Sequence, residues 1–218
     1  MISQLLKDGA RSTDAKSNYM HPYTAKLYAL FIELEEQAGA EFYDLFKERK
    51  LSKGTYLLNE GEVSTKCFYI KDGIAHSFQR RGERDMTMFF TFSNEFIDSY
   101  QSSVLKIPSS VSIQLLTDAT VFEFDWSLLN RFKPQYPVIW KIEELIIVCL
   151  LSAFETRLVD MQEKTATERY EAILLQQPQL VKSVSLAHIA NYIGCTAECI
   201  SRIRAKISCR ANHVLHFR

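Results

Sequence analysis

Residues 185–207, SLAHIANYIGCTAECISRIRAKI, constrain this chain more than any other stretch. Ser185 can cap a helix that carries Leu186, Ile189, Ala190 and Ile193 at helical spacing. Gly194 can take the left-handed conformation that ends it without steric cost. Thr196 can cap a second helix, on which Ile200, Ile203 and Ile207 recur every three or four residues. Ala190 is small where two crossing helices must approach closely. Two short helices meeting at a sharp turn, the second basic, form the layout of a helix-turn-helix DNA reader. Ala197, Glu198, Ser201, Arg202 and Ala205 fall on outward faces, with Arg204 and Lys206 nearby. The first turns of such a helix reach base edges, where Arg can fork onto guanine O6 and N7 and Glu can accept from cytosine N4. Glu198 and Arg202 are four residues apart and point the same way. Spacing alone weighs that reading evenly against a surface ion pair.

Charge distribution agrees with a polyanion partner for this end. The whole chain of 218 residues is neutral, with 26 basic and 26 acidic residues. Residues 161–218 hold eight basic and four acidic residues, so the remainder is acidic by four. An ordinary solvated surface would also fit that balance. The longest apolar run, Leu145 to Leu151, is far short of the roughly 20 residues of a membrane span. The N-terminus lacks the hydrophobic segment of a signal peptide. The five cysteines, at 67, 149, 195, 199 and 209, are odd in number and lie in apolar or helical settings. A reduced, cytoplasmic protein with incidental thiols is expected, and no metal site.

Residues 1–25 are polar without sustained periodicity and are expected to form a loosely ordered arm. Residues 26–48 carry Leu27, Leu30, Phe31 and Leu34, then Phe42, Leu45 and Phe46, at helical spacing, divided by Gly39. From 51 to 125 the pattern becomes short runs rich in Tyr, Phe, Ile and Thr. They are separated by Lys53-Gly54, Glu60-Gly61, Asp72-Gly73 and Arg81-Gly82. Regular short strands with glycine turns predict an antiparallel sandwich or barrel, with Asp72-Gly73 its strongest hairpin signal. Pro134 and Pro137 close that region, and a long helical pattern follows. Ile139, Ile142, Ile146, Cys149, Ala153, Thr156 and Val159 approximate a 3-4 repeat, widened by Leu145, Leu150, Phe154 and Leu158. So broad an apolar face predicts a dimer seam, against the alternative of a helix lying wholly on its own barrel. Thr165-Ala-Thr-Glu168 fits a capping box and starts a new helix, which Pro178 ends. The predicted class is α+β, divided into an arm (1–25), a β-barrel with flanking helices (26–136), a dimerisation helix (137–160) and a helix-turn-helix domain (161–218).

Residues 42–207 resemble the Crp/Fnr family of bacterial transcription regulators. The matching segments are KGTYLLNEGE at 53–62, FYIKDGIA at 68–75, ERY at 168–170 and IANYIGCTAECISRIRAKI at 189–207. The resemblance implies a jelly-roll barrel of the cyclic-nucleotide-binding type, a dimerising helix and a C-terminal helix-turn-helix. It implies a palindromic double-stranded DNA operator, a homodimer, RNA polymerase as a further partner, and no membrane association. Glu198 and Arg202 would read a G·C pair of a TGA-type half-site, and Ser201 a neighbouring base or the backbone. The expected DNA-binding set is Thr196, Glu198, Ser201, Arg202, Arg204 and Lys206. Many members carry Arg directly before the Glu, where this chain has Ala197. They also carry a β-hairpin wing after the recognition helix, for which ISCRANHVLHFR is too short. Wing contacts to phosphate are therefore expected to be weak or missing.

Members that bind cyclic AMP hold its phosphate with an Arg and its ribose with a Glu. The matching residues here are Asn94, Glu95 and Phe96, then Ser109 and Ser110, with Ser109 at the arginine position. A gapless match places Phe154 and Glu155 on the long helix where small hydroxyls would meet adenine. A buried phosphate without Arg lacks its main partner, so no tight cyclic AMP binding is expected and another small-molecule effector stays open. An iron–sulfur cluster is not expected, since residues 1–66 hold no cysteine; His76 and Cys67 suit a haem by residue type alone. An enzyme on a metal-dependent barrel needs clustered histidines, and the barrel region holds one, His76. The expected function is a dimeric DNA-binding regulator. The alternative is a sensing or interaction module whose helix-turn-helix has lost DNA binding.

Overall fold

A computed structural model describes residues 24–82 and 84–215. The expected arm, 1–25, lies almost wholly outside the described residues. Helix α1 (Thr24–Ala38) and the short α2 (Ala40–Asp44) meet at Gly39, as the spacing predicts. Eight strands follow: β1 (Lys47–Leu51), β2 (Tyr56–Leu58), β3 (Lys66–Asp72), β4 (Ala75–Arg81), β5 (Arg84–Thr91), β6 (Glu95–Ile97), β7 (Ser112–Leu115) and β8 (Ala119–Asp125). A one-and-a-half-turn helix, α3 (Tyr100–Leu105), separates β6 from β7, and α4 (Trp126–Phe132) follows β8. The strands form two four-stranded antiparallel sheets, β1-β8-β3-β6 and β2-β7-β4-β5, a jelly-roll-like pair of layers.

Side-chain alternation explains how the layers hold together. On β3, Phe68 and Ile70 point between the sheets, into a core with Leu58, Ala75, Ile97, Ile113, Leu115 and Val121. The intervening Cys67 and Tyr69 point outward and pack under α1 and α2 against Phe31, Leu34 and Phe42. A sheet covered on both faces needs continuous apolar strands, which is why CFYI is buried throughout. Strand β1 differs: KERKL is almost wholly exposed and pairs along β8 through its backbone.

The Asp72-Gly73 turn does not close a hairpin. It carries the chain from β3 in one sheet to β4 in the other, whereas Arg81-Gly82 turns the true hairpin, β4 to β5. Gly73 adopts φ 120°, and a Cβ there would sit 2.7 Å from the Cβ of Ala119. Gly73→Ala therefore combines left-handed strain with a clash against β8. It should lower stability by about 2–4 kcal/mol, read as a shift in the urea midpoint.

The long helix α5 runs Val138–Glu163 and stops at Lys164, whose backbone is extended. Ile139, Ile142 and Leu145 are buried against α1 and the barrel. The exposed large apolar residues are Trp140, Ile147, Val148, Leu151, Phe154, Leu158, Val159 and Met161. The repeat read as the seam therefore faces inward over its first half. The exposed stripe Ile147, Leu151 and Leu158 lies on another side of the helix, flanked by Phe154, which packs on Phe89, and Met161, which approaches Gly194. A capping box then starts α6 (Ala166–Gln176): Thr165 Oγ1 accepts from Glu168 N–H, and Glu168 accepts from Thr165 N–H at 2.7 Å. Pro178 does not simply end a helix; it opens the short α7 (Pro178–Ser183) at its first position. Helices α8 (Leu186–Ile193) and α9 (Ala197–Leu215) complete the described chain.

Candidate functional site

The α8–α9 unit is built as its sequence suggests. The Ser185 hydroxyl accepts from His188 N–H, Gly194 takes φ 82°, and the Thr196 hydroxyl accepts from Cys199 N–H at 3.2 Å. Ile189, Ala190, Ile193, Ile200 and Ile203 are buried together with Tyr170, Ile173 and Leu180 from α6 and α7. Ala197, Glu198, Ser201, Arg202, Arg204, Ala205 and Lys206 are all exposed, as is Thr196. Glu198, Ser201, Arg202 and Lys206 thus share one open helical face opposite the isoleucines that anchor it, with Thr196 and Arg204 on its flanks. Helix α9 continues to Leu215, so its last described turns lie where a wing strand would begin.

This unit also docks on the barrel. Helix α8 lies against β5, and the barrel's Ile74, Leu116, Phe90 and Phe92 join its apolar core. Tyr192 packs on Phe90 with ring centroids 5.0 Å apart. Arg157 of α5 ties three elements together. Its Nη2 donates to the carbonyls of Thr87 (3.1 Å) and Tyr192 (3.0 Å), and its guanidinium lies 4.1 Å from the Tyr192 ring centre. Arg169 of α6 donates to the carbonyls of Ile193, Asp160, Met161 and Lys164, which holds α6 to the end of α5.

At the centre of this contact His76 of β4 meets His188 of α8, with ring centroids 4.8 Å apart. His76 Nε2 and His188 Nδ1 have no hydrogen-bond partner. Burial pushes His76 down to about 4 and also lowers His188; each is held neutral. His188 opposes charge on His76, while Gln114 and Asp85 favour it; Asp85 also favours charge on His188 and Lys53 opposes it.

A cavity of about 640 Å³ opens between the barrel, α5 and α8. Phe89, Phe92, Glu95, Phe96, Asp98 and Trp126 line its barrel side. Cys149, Ala153, Thr156 and Arg157 line its α5 side, with Tyr192 and Ile193 from α8. Burial pushes the carboxyls of Glu95 and Asp98 up to about 7. Of the effector residues expected from sequence, only Glu95 and Phe96 line this cavity. Asn94 has φ 68° and is tied into the fold: its carbonyl accepts from Tyr28 and its Oδ1 from Tyr69. Ser109 is buried, its hydroxyl donating to the Val111 carbonyl at 2.8 Å and lying 2.9 Å from the Ser99 hydroxyl, which can donate to it, and Ser110 is exposed. Phe154 does not line the cavity but packs edge-on to Phe89, which does, with ring centroids 4.8 Å apart, and Glu155 is exposed. Sequence reasoning missed Asp98, Trp126 and Phe89. A second acidic residue three positions after Glu95, in an aromatic strand, was the available signal.

The buried groups titrate in opposite directions. Unfolded histidines bind protons below about 6.5, so neutral His76 and His188 lose stability as pH falls from there toward 4. Glu95 and Asp98 hold protons up to about 7 in the folded chain but lose them near 4 when unfolded, so they favour folding over the same interval. Wild-type stability should therefore change little between pH 7 and 5. Glu95→Gln with Asp98→Asn removes the compensation, and the same acidification should then remove about 2–4 kcal/mol in urea titrations.

A cyclic-nucleotide-binding-like barrel joined by a long helix to a C-terminal helix-turn-helix is the fold of a Crp/Fnr-type regulator. The structural neighbours of the chain are regulators of that family over most of its length. FixK2 from Bradyrhizobium japonicum aligns at 20% identity and a TM-score of 0.64, covering 76% of this chain and 86% of its own. CLP from Xanthomonas campestris, a c-di-GMP-responsive global regulator, aligns at 16% identity and 0.64, covering 84% and 93%. A crp/fnr-family transcriptional regulator from Eubacterium rectale aligns at 19% identity and 0.62, covering 89% of each chain. No family model matches the sequence, and no curated protein does. At these identities the likeness establishes the fold. Among the described residues no helix is long and apolar enough to cross a membrane, and no group of three or more metal-ligating side chains gathers.

Proposed function

We propose that this chain is a sequence-specific DNA-binding transcription regulator that works as a dimer and responds to a small molecule. The observation that carries this is the open face of α9. Glu198, Ser201 and Arg202 project from its first turns, while Ile200 and Ile203 on the opposite side fix the helix to its own domain. The stripe Ile147, Leu151, Phe154, Leu158 and Met161 recurs at alternating intervals of four and three, the spacing of a coiled-coil seam, so a second copy is its occupant. We place the boundary between the sensing part and the DNA-reading part at Lys164, the extended residue between α5 and α6. The cavity is the effector site, since its walls come from the barrel, α5 and α8 together.

Selection from a random double-stranded oligonucleotide pool, followed by gel shift, tests this reading. A recovered palindrome with half-sites one helical turn apart is the expected result. Failure to recover any would favour an interaction module that has left DNA, a reading to which α9's uninterrupted run to Leu215 lends weight. Cyclic AMP should not bind tightly: Ser109 is committed to its protein partners and supplies no cation for a phosphate. Submicromolar binding by calorimetry would overturn that expectation.

A further inference from the structure

The contact between the helix-turn-helix unit and the barrel holds two imidazoles at its centre. His76 of β4 is wholly buried, stacked on Phe78 with ring centroids 4.6 Å apart and flanked by Phe90 of β5. His188 of α8 meets it edge to face at 4.8 Å. His76 Nδ1 lies 3.4 Å from Thr87 Oγ1, whereas His76 Nε2 and His188 Nδ1 are buried with no hydrogen-bond partner. A neutral imidazole carries hydrogen on one nitrogen and can turn a bare lone pair toward apolar surroundings. A protonated one carries hydrogen on both, so charging either ring buries an N–H that has no acceptor. Burial disfavours charge on both rings, and the groups around them offset little of it. Asp85 of β5 favours charge on both but is engaged by Arg80, 3.5 Å away. Lys53, between β1 and β2, opposes charge on His188. Gln114 of β7 favours charge on His76, and its amide also donates to the Gly54 carbonyl at 3.0 Å. From α5, Arg157 adds a permanent cation to the same contact, donating to the carbonyls of Thr87 and Tyr192 and covering the Tyr192 ring.

We propose that His76 and His188 form an acid-sensitive latch: while neutral they let α8 close over the barrel, and proton binding at either ring releases the helix-turn-helix unit. The direction follows from where the proton is held more tightly. Burial pushes His76 down to about 4 in the docked chain, and a hydrated imidazole takes its proton near 6.5. Docking is therefore intact above about 6.5 and is lost progressively as pH falls toward 4, with His188 acting in the same direction. From about pH 7.5 to about 5.5, His76 alone raises the ratio of released to docked chains about tenfold. Glu95 and Asp98, on the barrel side of the cavity, titrate in the opposite sense and steady the whole fold over this interval. Acid thus loosens one contact without unfolding the chain. On the regulator reading, the released unit is free to re-aim α9. The latch itself is tested without DNA, so its failure and that of the regulator reading are distinguishable.

Thiol labelling of the full chain carrying Leu116→Cys tests it. Leu116 is buried beneath the helix-turn-helix unit, whereas the native Cys67 is buried under α1 and α2 and reports opening of the barrel itself. Mass spectrometry of the labelled peptides gives the rate at each thiol, to be compared with its rate in the urea-unfolded chain at the same pH. From about pH 7.5 to about 5.5, protection of the introduced thiol should fall about tenfold while that of Cys67 stays unchanged. Adding His76→Phe and His188→Phe should abolish the difference. Protection of the introduced thiol that is independent of pH, a fall shared equally by Cys67, or a fall that survives the loss of both histidines would overturn the proposal. If the double histidine variant fails to fold, His76→Phe alone decides, since that ring supplies the tenfold factor. If Leu116→Cys fails to fold, Ile74→Cys reports the same contact, because Ile74 lies in the same buried cluster and its carbonyl accepts from Leu116 N–H at 2.7 Å.

Discussion

Leu151→Glu combined with Leu158→Glu is expected to convert a dimer into a folded monomer. Both leucines are more than half exposed in the single chain, so glutamate there stays hydrated and leaves the monomer's own stability nearly unchanged. In a paired seam the same substitutions would place two carboxylates from each copy, seven residues apart, among the apolar side chains of the stripe. Burying an unpaired charge costs several kcal/mol, so the dissociation constant should rise by at least about a thousandfold. Sedimentation of the variant at micromolar concentration should give the mass of one chain, with an unaltered circular dichroism spectrum. A wild-type chain that is already monomeric at that concentration, or a variant that stays dimeric, would place the interface elsewhere. Specific DNA binding should fall with dimerisation, because each half-site alone retains only part of the contact energy.

Arg202→Ala should abolish discrimination at one base pair in each half-site, about 1–3 kcal/mol per contact. Its guanidinium stands on the open face of α9 one turn beyond Glu198, in the part of the helix that would enter the major groove in the proposed complex. Lys206→Ala, one further turn along, should behave differently. It should weaken specific and nonspecific DNA alike and reduce the slope of log affinity against log salt by about one. Gel shifts on the selected operator and on its single-pair variants, at two salt concentrations, separate the two patterns. Equal losses on all sequences for both variants would count against base reading by Arg202.

Much of this architecture is legible in the residues because the physics behind it is local. Caps at Ser185, Thr196 and Thr165, the left-handed Gly194 and the isoleucine spacing of α8 and α9 each act within one turn of helix. The barrel strands show through their glycine punctuation. What stays hidden depends on partners distant in sequence. Strand β1 exists because β8 offers it a backbone edge, and nothing in Lys-Glu-Arg-Lys-Leu favours a sheet. Asp72-Gly73 marks a turn correctly but cannot say whether the next strand pairs beside β3 or crosses to the facing layer. Helix α5 is apolar on nearly every side, so periodicity leaves open which stripe meets the barrel and which stays free. The cavity is the least legible feature. Asp98 and Trp126 are 28 positions apart and become neighbours only when β6 and the start of α4 come together.

The barrel's choice of cover has an evolutionary consequence. Phe90, Phe92, Ile74 and Leu116 are shielded from water by the helix-turn-helix unit itself, through α8. Any rearrangement that lifted α8 away would expose these side chains, so its free-energy cost is set in part by barrel residues remote from the open face of α9. In the proposed regulator, substitutions at Phe90 or Phe92 would retune that rearrangement and leave the exposed face of α9 unaltered. Sensitivity and address of such a regulator would then be free to drift independently in the descendants of one gene, the first through β5 and its flanks, the second through three or four exposed positions on α9.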